Sequence, residues 1–239
     1  MELCIWLLFV FLMSMLGASM IFVIKKETLN KNMSMMTGIS AGVMLATTIW
    51  SLLIPAFEYG SNKFNVIISF ILGFIILIIL KAVFERFNEC KIIEKNKTYF
   101  AITLHNIPEG LIIGVGFGVC ALNDLSYGAV ALAMAIGIQN FPESMALSIL
   151  LKEKNVSNKK NILLNLISAI IEPIFGIVGY LLTYNIMTAL GSILGFTAGM
   201  MLYVLISELI MNSLKESEIN GIIGILIGFV LMMLLENFL

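Results

Sequence analysis

The chain is poor in charge, in histidine, in cysteine and in proline. Lysine, arginine, aspartate and glutamate make up 12% of its 239 residues against 60% hydrophobic, and the mean hydropathy is +1.03. That balance excludes an ordinary soluble domain and leaves no basic patch for a nucleic acid. The three cysteines, Cys4, Cys90 and Cys120, lie far apart without CxxC spacing, so neither a disulfide framework nor a thiolate metal site is indicated. With a single histidine, His105, an HExxH zinc-protease helix cannot be built. A membrane metalloenzyme is therefore the weaker alternative, and no enzymatic activity is expected. The opening run MELCIWLLFVFLMSMLGASM lacks a basic start and is too long for a secretory signal, and it reads as a retained helix.

What is present is apolar sequence in lengths of about 20 residues, the number that crosses a hydrocarbon core of roughly 30 Å. Eight runs are predicted, at approximately 3–24, 35–57, 64–84, 99–121, 126–151, 161–184, 186–210 and 219–238, forming one polytopic domain over 1–239 in a lipid bilayer. The boundary near Tyr184 and Asn185 is the weakest, because no charge marks it; fusion there would leave seven spans. Short loops rich in lysine and arginine stay in the cytoplasm. With the N-terminus outside, every basic residue except Lys63 falls on the inner side, a bias that seven spans would scramble. The expectation is an all-α membrane protein of the inner or plasma membrane with both termini extracytoplasmic.

Two internal echoes organise the spans. GISAGVMLATTI at 38–49 and GFTAGMMLYVLI at 195–206 match at Gly38/Gly195, Ala41/Ala198, Gly42/Gly199, Met44/Met201, Leu45/Leu202 and Ile49/Ile206. They lie in the second and seventh spans, which cross in opposite directions, as in transporters built from inverted repeats with a site near the midplane. Small residues four apart are also ordinary helix-packing surfaces, and both readings can hold together. HNIPEG at 105–110 echoes QNFPES at 139–144 in the antiparallel fourth and fifth spans. The predicted arrangement is 3+2+3: helices 1–3 and helices 6–8 related by inversion around a central pair.

The central pair carries the chemistry. Residues three and four apart share a helix face, which stacks His105 on Glu109 with Asn106 beside them, and repeats the pattern in Gln139, Asn140 and Glu143. Pro108 and Pro142 withdraw a backbone donor and open carbonyls near Leu104 and Ile138, a feature tolerated at depth only where it is buried or lines water. Glu172 precedes Pro173 in the sixth span, and Pro55 lies in the second. No lysine or arginine occupies the centres of these spans, so Glu109, Glu143 and Glu172 call for protons or a bound cation. Imidazole, carboxylates and amide oxygens together suit a divalent first-row metal.

HNIPEG, IGIQNFPES, the Glu-Pro of IIEPIFG and AGMMLYVLISEL resemble the Zrt/Irt-like protein (ZIP) family of divalent metal transporters, in its compact bacterial form, over nearly the whole chain. The resemblance implies two neighbouring metal positions: one of His105, Glu109, Gln139 and Glu143, the other of Asn106, Asn140 and Glu172, with Glu109 and Glu143 bridging. It implies transport of divalent cations toward the cytoplasm, zinc first and iron, manganese or cadmium as alternatives, and a homodimer. The metal is substrate, and no cofactor is expected; a proton-coupled carrier of the same fold is a further alternative. Glu208 matches an acidic position in the seventh helix of relatives and is a candidate for the exit path, and Ser51 is a second candidate for the pathway.

Three departures from the family pattern stand out. Gln139 replaces a second histidine, which makes the site harder and less zinc-selective. Asn140 replaces an acid, and Ser144 replaces the glycine after the glutamate. The inner loop ERFNECKIIEKNK at 85–97 has no histidine and reads as a positive-inside connector, with Cys90, Glu89 and Glu94 as a thin alternative of metal sensing.

Overall fold

An apolar segment in lipid must satisfy its own backbone, and a helix does so within one run of chain. The computed structural model describes residues 2–23, 26–60, 62–87, 97–123, 127–153, 155–185 and 189–238, and within them it is helical with no strand. Cys90, Glu89 and Glu94 lie outside the described residues.

Eight long helices follow one another. α1 is Glu2–Ser19, extended by a 3-10 turn at Met20–Phe22. α2 runs through Lys26–Thr47, a π-helical turn at Thr48–Leu53, and Ile54–Tyr59. α3 is Lys63–Phe87, α4 Lys97–Asn123, α5 Tyr127–Glu153 and α6 Asn158–Asn185. α7 runs through Leu190–Val204, a second π turn at Leu205–Ile210, and Met211–Ser213, and α8 is Glu218–Phe238. At the weak boundary near Tyr184 and Asn185, α6 runs to Asn185 and α7 begins at Leu190, with Ala189 outside α-helical geometry. Among the described residues, six helices, α1–α3 and α6–α8, are long and apolar enough to cross a membrane. The other two, α4 and α5, carry the polar motifs.

The helices sort by exposure. Ile5, Leu8, Leu12 and Leu16 form an exposed apolar stripe at three- and four-residue spacing on α1, and α3, α6 and α8 carry comparable isoleucine and leucine faces. Extended apolar surface of this kind suits hydrocarbon rather than water. Side chains of α2, α4, α5 and α7 supply most of the interior, among them Met44, Ile112, Ile136 and Met201.

Packing is pairwise. α2 lies along α8, α3 along α7, α1 along α5 and α4 along α6, while α5 also meets α2 and α4 meets α7. Glycine sets two of these distances. A β-carbon on Gly42 would overlap the carbonyl of Ile225 in α8, and one on Gly199 would overlap the carbonyl of Phe70 in α3. The small residues of the first echo are thus contact points of two helix pairs, the use expected of glycine where backbones approach in apolar surroundings.

The two π turns share the register of that echo. The step along the chain that carries Gly38 onto Gly195 also carries Thr48 onto Leu205 and Leu53 onto Ile210. π-helix accounts for well under about 1% of residues in proteins, so two such turns at matching positions extend the duplication beyond side-chain identity. Such turns concentrate at functional sites.

Candidate metal centre

α4 and α5 remain helical through Pro108 and Pro142, and α6 through Pro173. The two motifs therefore face one another as helix surfaces. Asn106, Glu109, Gln139, Asn140, Glu143 and Glu172 are all buried, with Glu109 and Gln139 at 0% exposure and Glu172 at 1%. Burying a carboxylate costs several kcal/mol unless something compensates, so the partners of these groups define the site.

Gln139 donates its Nε2 hydrogen to Glu109 Oε1. Asn140 Nδ2 donates to Glu172 Oε1 at 2.7 Å. The Glu172 carboxyl also lies against that of Glu109 and within electrostatic reach of Glu143. Asn106 turns its Nδ2 to α6, donating to the Ser168 carbonyl at 2.7 Å and the Ser168 hydroxyl at 3.1 Å. The structure thus brings six of the seven expected ligand residues to one buried junction of α4, α5 and α6. The His105 backbone continues α4 one residue before Asn106, and its side chain lies outside the described residues. Among the described residues, no three histidine, cysteine, aspartate or glutamate side chains close on a common point. The carboxylates are adjacent, and amides stand between them.

Gln139 and Asn140 each donate through the amide nitrogen to a carboxylate. Gln139 Oε1 and Asn140 Oδ1 are buried and accept no hydrogen bond from the described residues, and the same holds for Glu172 Oε2. Buried acceptors are normally satisfied. Unshared oxygen lone pairs beside carboxylates are the kind of donor a hard cation uses.

The two pathway candidates fall elsewhere. Ser51 lies within the first π turn and lines a largely apolar cavity with Pro55, Tyr59, Ile112 and Cys120. Glu208 lies at the equivalent position of the second π turn and forms an ion pair with Lys81 of α3, Nζ to Oε1 2.7 Å. The basic-residue pattern groups Lys81 with loop charges. The structure instead sets it within α3, 6.0 Å from the centre of the Tyr203 ring.

Several polar residues around the site do not stand out in the sequence. Ser40 of α2 donates to the Gln139 carbonyl at 3.2 Å. Below Glu172, α6 carries Ser168, Asn165 and Asn161 at helical spacing, all buried. Asn161 Nδ2 donates to the Ser148 carbonyl at 2.7 Å and Asn165 Nδ2 to the Ser148 hydroxyl at 2.9 Å, tying α6 to α5. Spacings of four, three and four from Glu172 are the signal that reveals this face. Ser40 follows Ser34 and Thr37 at three-residue spacing on α2, all three buried, and small hydroxyls of this kind are ordinary on packed membrane helices.

The family model described as ZIP Zinc transporter matches residues 93–236, which take in both motifs, Glu172 and the whole of α5 to α7. The zinc transporter ZupT of Chlorobaculum parvum is 30% identical over 90% of this chain and 89% of its own, and ZupT of Streptococcus mutans is 28% identical over the same shares. The zinc transporter ZIPB of Bordetella bronchiseptica is 31% identical over 57% of this chain, which spans 43% of that protein. The chain thus extends over nearly the full length of some curated relatives and about half or less of others. A multi-pass helical protein with paired Pro-Glu motifs buried between its fourth and fifth helices, matched by that model over more than half its length, is a member of the ZIP zinc transporter family.

Proposed function

We propose that the chain carries divalent metal cations across a membrane, zinc foremost, into the cytoplasm, through the buried junction of α4, α5 and α6. The cation is bound by His105, Glu109, Gln139 and Glu143 at one position and by Asn106, Asn140 and Glu172 at the other, with Glu109 and Glu143 shared. One observation carries this reading: Glu109, Glu143 and Glu172 are buried where α4, α5 and α6 join, beside Gln139 and Asn140 amide oxygens that accept no hydrogen bond among the described residues. Between Lys97 and Lys152, and between Lys160 and Lys215, the chain has no lysine or arginine to neutralise them from their own helices. A divalent cation supplies the missing positive charge and the missing electrophile together. The relatives named zinc transporters support zinc as that cation.

The same reading treats α1–α3 and α6–α8 as inverted halves about α4 and α5. Exchanging the two halves, and α4 with α5, turns the α2–α8 pair into α7–α3 and the α1–α5 pair into α6–α4, which are the principal packing partners. The matched π turns support the same exchange. Sites between such halves suit alternating access. The concentration of basic residues at one end supports termini on the extracytoplasmic side.

The test is zinc uptake by the purified protein in liposomes carrying an internal zinc dye. Wild type fills the vesicles, and Glu109→Ala and Glu143→Ala abolish filling while still reconstituting. Uptake at the wild-type rate by both variants overturns the site.

A further inference from the structure

Glu143 and Glu172 border a small cavity whose other polar walls are Ser14 of α1, Asn106 of α4, Asn140 and Ser144 of α5, and Ser168 of α6. Every group there able to ligate a cation does so through oxygen. Asn106 Nδ2 donates to Ser168 and Asn140 Nδ2 donates to Glu172, and the atom by which each amide can ligate a cation is its carbonyl oxygen. Asn140 Oδ1 and Glu172 Oε2 are buried and accept no hydrogen bond from the described residues.

The sixth position of the duplicated motif distinguishes this cavity. At Gly110 that position is pressed against α6, where a β-carbon would overlap the carbonyl of Glu172. At Ser144, its counterpart on α5, a side chain is accommodated and lines the cavity. The duplicated motifs therefore close one flank of the site and leave a hydroxyl on the other.

We propose that Ser14, Ser144 and Ser168 make the second metal position an oxygen-only pocket that holds water on the cation, with Ser144 setting its selectivity. This rests on the metal-carrier reading above. Zinc favours four ligands rich in nitrogen and sulfur, whereas manganese(II) and magnesium favour six oxygens and retain waters. Hydroxyls beside the carboxylates accept hydrogen bonds from coordinated water, so they favour the harder, more hydrated ion. The consequence is a manganese-to-zinc ratio higher than a glycine at 144 would give.

The test is uptake of manganese and zinc in competition, by wild type, Ser144→Gly, Ser144→Ala and Ser144→Thr in liposomes. Removing the hydroxyl lowers the manganese-to-zinc ratio about tenfold, the scale of outer-sphere ligand changes, while zinc uptake persists. Threonine restores the ratio, which a packing role for Ser144 would not require. Equal ratios in all four proteins overturn the role of Ser144, with zinc uptake still intact. Wild-type vesicles that take up neither metal overturn the carrier reading itself. Manganese binding to Ser168→Ala in detergent gives a second readout should the Ser144 variants fail to fold, and wild-type affinity there overturns the hydroxyl pocket.

Discussion

Asn140 donates Nδ2 to Glu172 Oε1 across 2.7 Å, while its neighbour Gln139 donates to Glu109 on the opposite side. Successive residues of a helix point about 100° apart, so this one dipeptide of α5 reaches both α6 and α4. The amides do two jobs at once. Their hydrogens hold the carboxylates, and their oxygens accept no hydrogen bond among the described residues.

Replacing Asn140 separates these jobs. Asn140→Leu strands a buried carboxylate oxygen and destabilises the protein by about 1–3 kcal/mol, read as a lower melting temperature in detergent. Asn140→Asp sets a further carboxylate beside Glu172 in place of a donor. It melts lower than wild type without metal and gains more than wild type when zinc is added. An equal gain in the two proteins would show that Asn140 does not face the cation.

The glycine contacts predict a matched pair of effects. Gly42→Val and Gly199→Val each drive a side chain into the backbone of a partner helix and cost about 1–3 kcal/mol or more. Gly128→Ala is the control, since a β-carbon there meets nothing within 4 Å. Thermal unfolding should rank the first two together and well below the control. A large difference between Gly42 and Gly199 would argue against equivalent helix pairs.

Lys81 and Glu208 should behave as a coupled pair. Lys81 is about a third exposed at its side chain, 32%, against 12% for Glu208, so solvent screens the attraction. A double-mutant cycle with Lys81→Met and Glu208→Gln is expected to give a coupling of about 1 kcal/mol or less. Full additivity would mean that the ion pair contributes nothing to the folded state.

Asn165→Leu tests the polar face below the site. The substitution removes the donor to Ser148 and its bonds to Asn161. A loss of about 1–3 kcal/mol is expected, together with faster amide exchange where α5 and α6 meet. Unchanged exchange at those positions would show that other contacts hold the two helices together.

Much of the molecule was legible because a membrane forces simple rules on sequence. The length of each apolar run and the isolation of Glu109, Glu143 and Glu172 needed no tertiary information. The motif residues converge as the spacing suggests. Lys81 was not legible in the same way: near the end of a span, a lysine reads as a loop charge, and only the neighbouring helix reveals Glu208. The π turns have no composition of their own. Their register emerged from the backbone, although the glycine echo already contained it.

By itself the sequence determined a series of long apolar helices with the polar motifs inside two of them, because hydrocarbon demands about 20 apolar residues per span and internally satisfied backbone. It also determined the chemistry available to a ligand, since one histidine, three acids and three amides are a matter of composition. Only the tertiary structure decided which amide meets which carboxylate, why Gly110 is closed against α6 while Ser144 opens on a cavity, and that Glu208 pairs with Lys81. Those choices depend on how each helix is rotated about its axis and how near its neighbour comes. Periodicity leaves rotation and approach undetermined, and packing between helices sets both.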